Sequence, residues 1–232
     1  MKKTIEIRTA DKADLDGILE LEKRVWIEIP ASRKMVMGRL ENFPEGNFIA
    51  VDKASGKIVG YLCLMFLGHE PSELPNSWMD ITGDGTIRTH NPDGKYMYGV
   101  TLTVDKGYAV GMELQIYGWA FGLKHHRKGC YFGSPIPRFA EYQKKHPDIT
   151  VEDYVFRTKT KRGVPYDPEL AYYHGAGFKA VRILSNYEKD PNSLDYGVLV
   201  YTPNIFYHWP FRSFIAWLVK KFGFSLLKAL GV

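Results

Sequence analysis

The stretch best placed to do chemistry runs from Tyr96 to Cys130, YMYGVTLTVDKGYAVGMELQIYGWAFGLKHHRKGC. Tyr98, Val100, Leu102 and Val104 recur at every second position, the period of a half-buried strand. Asp105 to Ala109, with Gly107 inside it, is a short connection. Met112, Ile116, Ala120 and Leu123 then recur at spacings of four, four and three, thickened by Leu114, Tyr117 and Phe121, which is a helical stripe. Lys124, His125, His126, Arg127 and Lys128 crowd the last turn as cations suited to the negative helix end, and Gly129 stops it. A helix start fed directly by a strand presents unpaired N–H groups and a partial positive charge. The chemistry on offer around Gly111 is therefore phosphate binding through the backbone.

The elements that must hold this unit can be read around it. Ile5 and Ile7 alternate with charges as a first strand. Thr9 or Asp11 caps a helix striped by Leu15, Ile18, Leu19, Leu21 and Val25, which stops near Ile29-Pro30. Met35, Val36, Met37 and Leu40 mark a second short helix. Phe48 to Val51 and Ile58 to Phe66 are strands joined by a hairpin turn at Ala54-Ser55-Gly56. From Leu67 to Lys95 the pattern is lost among Pro71, Pro75, Gly83, Gly85, Pro92 and Gly94. A connection this long in a compact domain reads as a lid beside a pocket or as a disordered insert, and the lid is the preferred expectation. After the central unit come a short strand from Cys130 to Phe132 and an irregular helical insertion from Phe139 to Arg162. A helix follows, capped by Asp167 with Pro168 at its first position. The last two strands, Phe178 to Ser185 and Tyr196 to Tyr201, read as an antiparallel pair. The fold class expected is mixed α/β (α+β), a largely antiparallel sheet flanked by helices.

The chain has 232 residues, 45% hydrophobic and 25% charged, which suits a globular protein with a real core. Its net charge of +5 is unevenly placed. Residues 203–232 hold Arg212, Lys220, Lys221 and Lys228 and no acid, which leaves 27 basic against 26 acidic groups elsewhere. The body is near neutral, so no nucleic-acid partner is expected. Cys63 and Cys130 read as buried free thiols, and no metal-ligand spacing is present, so no metal is expected. The opening, MKKTIEIRTADKADL, lacks an apolar run after its lysines, and no segment has the length of a membrane span. The expected location is cytoplasmic, with peripheral contact at the inner membrane face as a variant.

Three segments resemble the GNAT superfamily of acyl-CoA-dependent N-acyltransferases: IEIRTADKADLDGILELEKRVW with FIAVDKASGKIVGYL, the central strand–turn–helix, and DPELAYYHGAGFKAV. The resemblance covers roughly residues 3–202. GCYFGSPIPRFAEYQ and NYEKDPNSLDYGVLV look, more narrowly, like GNAT domains found beside nitrilase-type hydrolase domains. The resemblance implies a 1–204 acyltransferase domain whose fourth strand splays from the fifth to admit acyl-CoA. It implies a pyrophosphate loop patterned (Gln/Arg)-x-x-Gly-x-(Gly/Ala). Here that pattern falls on Tyr108, Gly111 and Glu113, of which the middle Gly alone matches. Cofactor-binding residues expected on this basis are Leu102, Thr103, Val104, Tyr108, Ala109, Val110, Gly111, Met112 and Glu113. Glu113 either repels the phosphates or is simply a first-turn acid that suits the helix dipole.

The reaction implied is transfer of an acetyl group from acetyl-CoA to a primary amine of a small molecule or peptide, by direct attack. The family's tyrosine lies five residues before the Phe of Gly-Phe, which falls on Tyr173 as the acid for the departing thiolate. The alternative for Tyr173 is a core aromatic, and Tyr172, pointing elsewhere on the helix, is its control. The expected strand has no acid to act as base. Asp105 reads as a turn former, His69 and His90 lie in the lid region, and His125 and His126 read as helix-end cations. The rival reading of the whole chain is a non-catalytic GNAT-fold binding or sensing module with a weakened acyl-CoA site.

Residues 205–232, IFYHWPFRSFIAWLVKKFGFSLLKALGV, form a basic amphipathic helical extension. Its apolar face is too broad for a fully exposed helix. It either packs back on the domain or against a second subunit in a homodimer, or lies in a membrane interface.

Overall fold

The computed structural model describes residues 4–27 and 29–223. Seven strands form one sheet in the order β1-β2-β3-β4-β5-β7-β6. They are β1 Ile5–Thr9, β2 Asn47–Asp52, β3 Lys57–Leu67, β4 Tyr96–Val104, β5 Gly129–Pro135, β6 Lys179–Leu184 and β7 Gly197–Pro203. Every neighbouring pair is antiparallel except β4 with β5. A parallel pair needs a crossover, and α4, Gly111–Lys124, supplies it.

One face of the sheet carries α1, Leu15–Val25, and α2, Arg33–Asn42. Asp11 starts the first of these through a capping box on a short 3-10 turn, with its side chain accepting from Ala13 N–H. The other face carries α4 and α6, Pro168–Gly175. Asp167 caps α6 as expected, accepting from Glu169 N–H. The same buried carboxylate accepts from the Tyr154 hydroxyl and from Arg138 N–H, which ties the insertion, including α5 at Phe139–Lys145, to the start of α6.

The segment between β3 and β4 is ordered by contacts that its composition conceals. It forms α3, Trp78–Thr82, and then a tight turn in which Gly83, Asp84, Gly85 and Ile87 all take positive φ. For the β-branched Ile87, at φ 57°, this is a strained conformation. Buried Arg39 on α2 holds it by donating Nε to Gly85 O, and Asn42 donates to Thr86 O. The segment also reaches the far side of the sheet, where Arg182 on β6 donates to Leu74 O.

His90 does not face a pocket. It stacks on Phe43 at 3.9 Å, and its Nδ1 accepts from Phe66 N–H. Burial, helped by the charge of Arg127, pushes its pKa down to about 4, so it is a neutral structural ring. His69 is exposed. His125 is not a helix-end cation either. It packs against Phe121 and Phe66, and burial lowers its pKa. His126 contacts the Tyr207 carbonyl.

The extension folds back on the domain. α7, Arg212–Phe222, packs Ile215, Ala216 and Val219 against Ile116, Ala120 and Leu123 of α4. Phe224, Leu226, Leu227 and Leu230 of the extension lie outside the described residues. Among the described residues no helix is long and apolar enough to cross a membrane.

Asp105 sits just past β4, where Lys57 and Arg24 reach its carboxylate at 3.0 and 3.1 Å. Burial opposes its ionisation, but bonds and charge from Lys57 and then Arg24 outweigh that and hold its pKa below the usual range. A depressed carboxyl contributes stability that is present above its unfolded pKa of about 4 and is lost as pH falls through the folded value. Urea melts from pH 7 to pH 3 are expected to show the protein weakening below about pH 4, with Asp105→Asn less stable at neutral pH and flatter in acid. An acid limb unchanged by Asp105→Asn would remove this pair from the account.

Candidate functional site

The site is an opening in the sheet. The β4 and β5 strands pair only at Met97–Cys130, Tyr98–Tyr131 and Gly99–Phe132. Above that point β4 pairs only with β3, and β5 only with β7, so the two strands part as a V. A β-bulge sits where the two strands part. Leu64 pairs with Gly99 but Cys63 pairs with Thr101, which leaves Val100 as an extra residue on β4. The bulge also exchanges the faces of the strand, so Thr101 and Thr103 now point the way Tyr98 does.

Gly99 and Phe132 close the bottom of the V. A Cβ on Gly99 would lie 1.8 Å from the Phe132 ring, so the ring rests on bare backbone. Gly99→Ala is expected to lower stability by about 1–3 kcal/mol through overpacking, with partial recovery in Gly99→Ala/Phe132→Leu. Thermal unfolding is the measure, and a wild-type midpoint for the single variant would place the ring elsewhere.

Asp105 N–H donates to Val59 O on β3. By strand alternation, Thr103 and Thr101 also turn their amides to β3, while Leu102 and Val104 turn theirs into the V. Of the three β4 residues expected to face a thioester, Leu102 and Val104 thus present free-edge amides. Thr103 instead offers its hydroxyl to the opposite face. At the top of the V, α4 begins at Gly111 with Val110 as its N-cap, buried against Gly60. The amides of Gly111, Met112 and Glu113 belong to the first turn and have no intrahelical acceptor. A Cβ at Gly111 would sit 3.3 Å from the Tyr172 hydroxyl and 3.5 Å from Val104, so the bare backbone there lies close between Tyr172 and the end of β4. Tyr108 turns away and donates to Asp52 at 2.9 Å. Ala109 is exposed at the rim, as is Glu113, whose charge helps to raise the pKa of Tyr117, one turn on, after burial itself. That placement along the helix suits the first-turn acid. The residues present fit a pyrophosphate held by main-chain donors alone.

The α6 helix supplies two tyrosines to the same opening. Tyr173 is 8% exposed and packs on Phe132 and Phe178, 5.4 and 5.5 Å between ring centres. Burial, then the charge of Glu169, keeps its pKa well above the ordinary value, so it holds its proton. Among the described residues nothing hydrogen-bonds its hydroxyl. Tyr172, the intended control, is 40% exposed and does not point elsewhere: its hydroxyl is the group beside Gly111.

On the α1–α2 face lies a carboxylate that the strand lacks. Glu22 is 2% exposed, and its Oε1 accepts from the Thr103 hydroxyl at 2.6 Å. The Thr101 and Thr103 hydroxyls are 3.1 Å apart, and Trp26 Nε1 donates to the Thr103 hydroxyl at 2.9 Å. A chain of hydroxyls thus runs from half-buried Thr101 to Glu22. Close by, Trp78 of α3 donates Nε1 to Val100 O at the bulge. Arg39, 1% exposed, leaves its Nη1 without a partner among the described residues. The missed signals were charges inside apolar stripes: Glu22 follows Ile18 by four, and Arg39 follows Val36 by three. Among the described residues no three His, Cys, Asp or Glu side chains gather as a metal group would require.

No known family profile matches the chain. A Bacillus subtilis (strain 168) protein described as a probable hydrolase, YhcX, is 31% identical over 211 residues, covering 89% of this chain and 40% of its own length. A second protein of that organism, described as an uncharacterized N-acetyltransferase, YkwB, is 26% identical over 211 residues, 88% of this chain and 90% of its own. The chain therefore spans well under half of the first relative and most of the second. Among solved structures, the loading GNATL domain of CurA from Lyngbya majuscula superimposes with a TM-score of 0.75 at 19% identity, over 86% of this chain and 98% of that one. A GNAT-like decarboxylase, GphF, in complex with isobutyryl-CoA gives 0.71 at 25% identity, over 85% and 98%. The ribosomal-protein-S18-alanine N-acetyltransferase of Escherichia coli gives 0.54 at 14% identity, over 86% and 94%.

Proposed function

We propose that this chain, which has the GNAT fold, is a GNAT-superfamily acyl-CoA-dependent N-acyltransferase, in its simplest form one that moves an acetyl group from acetyl-CoA to a primary amine of a small molecule or peptide. The observation that carries this reading is the V between β4 and β5, opened by the Val100 bulge and topped by the free amides of α4. A bound thioester supplies an activated acyl carbon; the roles below belong to the chain.

Gly111, Met112 and Glu113 amides hold the pyrophosphate, with Val110 setting the helix start and Tyr172 flanking it. Leu102 and Val104 amides line the V, where they polarise the acyl carbonyl. Thr101 accepts a proton from the incoming ammonium and passes it through Thr103 to Glu22, since only the neutral amine attacks. Tyr173, protonated at the base of the V, returns a proton to the departing thiolate. Trp78 and the segment around it cover the amine side.

Calorimetric titration with acetyl-CoA and free CoA tests the premise. One-site binding is expected, weakened about a hundredfold or more by Gly111→Asp, which sets a carboxylate against the phosphates. Absence of binding at millimolar ligand would end the acyl-CoA reading and favour a fold kept for recognition.

A second reading has its own support. Similarity is higher to the GNAT-like decarboxylase than to the Escherichia coli S18-alanine N-acetyltransferase, and Arg39 is a buried guanidinium with a donor that has no partner among the described residues. A β-carboxyacyl thioester would pair with that donor, lose CO₂ by cleavage of the bond to its α-carbon, and take a proton there in its place. Incubation with malonyl-CoA without amine separates the two: acetyl-CoA appearing by mass spectrometry favours decarboxylation, and unchanged malonyl-CoA favours transfer.

A further inference from the structure

The α7 helix has two faces, and packing uses one of them. Ile215, Ala216 and Val219 meet α4. Away from that seam Phe214 and Trp217 are each at least half exposed, as are Phe222 at the end of the helix and Trp209 and Phe211 just before it. Three of these rings, Phe214, Trp217 and Phe222, form a connected layer. Phe214 and Trp217 stack with 5.8 Å between centres, and Phe222 meets Trp217 edge-on at 6.4 Å. Lys221 lies over this layer, its Nζ 4.7 Å from the Trp217 ring and 5.3 Å from Phe222. No acid occurs from 203 to 232, where Arg212, Lys220, Lys221 and Lys228 all fall.

We propose that this outer face of α7 docks the protein on an anionic phospholipid surface. Trp and Phe bury their rings at the boundary between headgroups and acyl chains, while Lys extends its ammonium to the phosphates. The charge decides between lipid and a second copy. A symmetric dimer through this face would bring two basic segments together, with no carboxylate in either segment to neutralise Lys221 and its neighbours. Anionic headgroups supply the missing charge. Docking through α7 also reaches the site, because the residues that hold α7 are on α4, whose first turn tops the V.

The full chain is centrifuged with vesicles of phosphatidylcholine alone or with 30% phosphatidylglycerol, in low and high salt. Binding at least tenfold stronger to the anionic vesicles, weakened by salt, is expected. Phe214→Ser/Trp217→Ser and Lys221→Glu are each expected to reduce it at least tenfold while circular dichroism and the unfolding midpoint stay near wild type. Both variants keep the α4-facing residues, so a folded protein that has lost vesicle binding is the supporting outcome. Equal partitioning to both vesicle types, or wild-type binding by both variants, would overturn the proposal. So would a stable dimer in sedimentation equilibrium that ignores vesicles and dissociates in Phe214→Ser/Trp217→Ser.

Discussion

Glu22→Gln is expected to lower the turnover of amine acylation by about 10²–10⁴ while leaving the dissociation constant for acetyl-CoA unchanged. The substitution keeps the shape of the side chain and an oxygen for the Thr103 hydroxyl, but not the ability to store a proton. Glu22 has no cation within ion-pair distance among the described residues, and its contact with β4 runs through Thr103 at 2.6 Å. The consequence extends to the hydroxyls. Thr103→Val should lose activity to a similar degree, because it interrupts the chain from Thr101, and Thr103→Ser should restore most of it. A purely structural role predicts a different pattern, in which stability falls with activity and Ser does no better than Val. Turnover of Glu22→Gln within a factor of two of wild type would eliminate the relay.

Tyr173→Phe carries the second large effect, a fall in turnover of about 10²–10⁴ with little change in KM for acetyl-CoA. Its ring already sits among Phe132 and Phe178, so removal of the hydroxyl leaves packing in place. Tyr172→Phe should do the reverse, raising KM with turnover nearly kept, since its hydroxyl lies beside Gly111, where the pyrophosphate is proposed to bind. The two neighbours thus test different ends of one ligand. If Tyr172→Phe abolished turnover and Tyr173→Phe did not, the acid would be the more exposed of the pair. Should the acceptor be identified first, acidic leaving thiols would be expected to rescue Tyr173→Phe in part, as they need no proton.

Local pattern accounts for much of the architecture. The period of two in β4, the stripe of α4 and the Asp167-Pro168 start of α6 each depend on neighbours a few residues away. Such signals survive in a linear reading because a strand face or a helix face is a short-range property. The start of α4 as a candidate phosphate site was legible for the same reason: any helix that follows a strand abruptly offers its first amides.

Other features depended on residues far apart in the chain. The bulge at Val100 is a difference in register between β4 and β3, and no single strand contains it. The side of the strand on which Thr101 and Thr103 fall follows from that bulge, and so does their meeting with Glu22, 81 residues from Thr103. The segment from 67 to 95 has no periodicity because its order comes from Arg39, Asn42 and Arg182 reaching its carbonyls from other elements. The histidines illustrate the same division. Residue type made His90 and His125 candidates for proton transfer or charge, and half-burial among Phe43, Phe66 and Phe121 lowers their pKa and makes them packing rings instead.

The chain order alone thus specified most of the strands and the longer helices, and where one helix offers amides that could receive a phosphate, because hydrophobic period and capping are written in consecutive residues. The tertiary structure alone decided which carboxylate faces the opened strand, which tyrosine is buried and which face of α7 remains uncovered, because each of these is set by packing between elements that sequence distance does not encode.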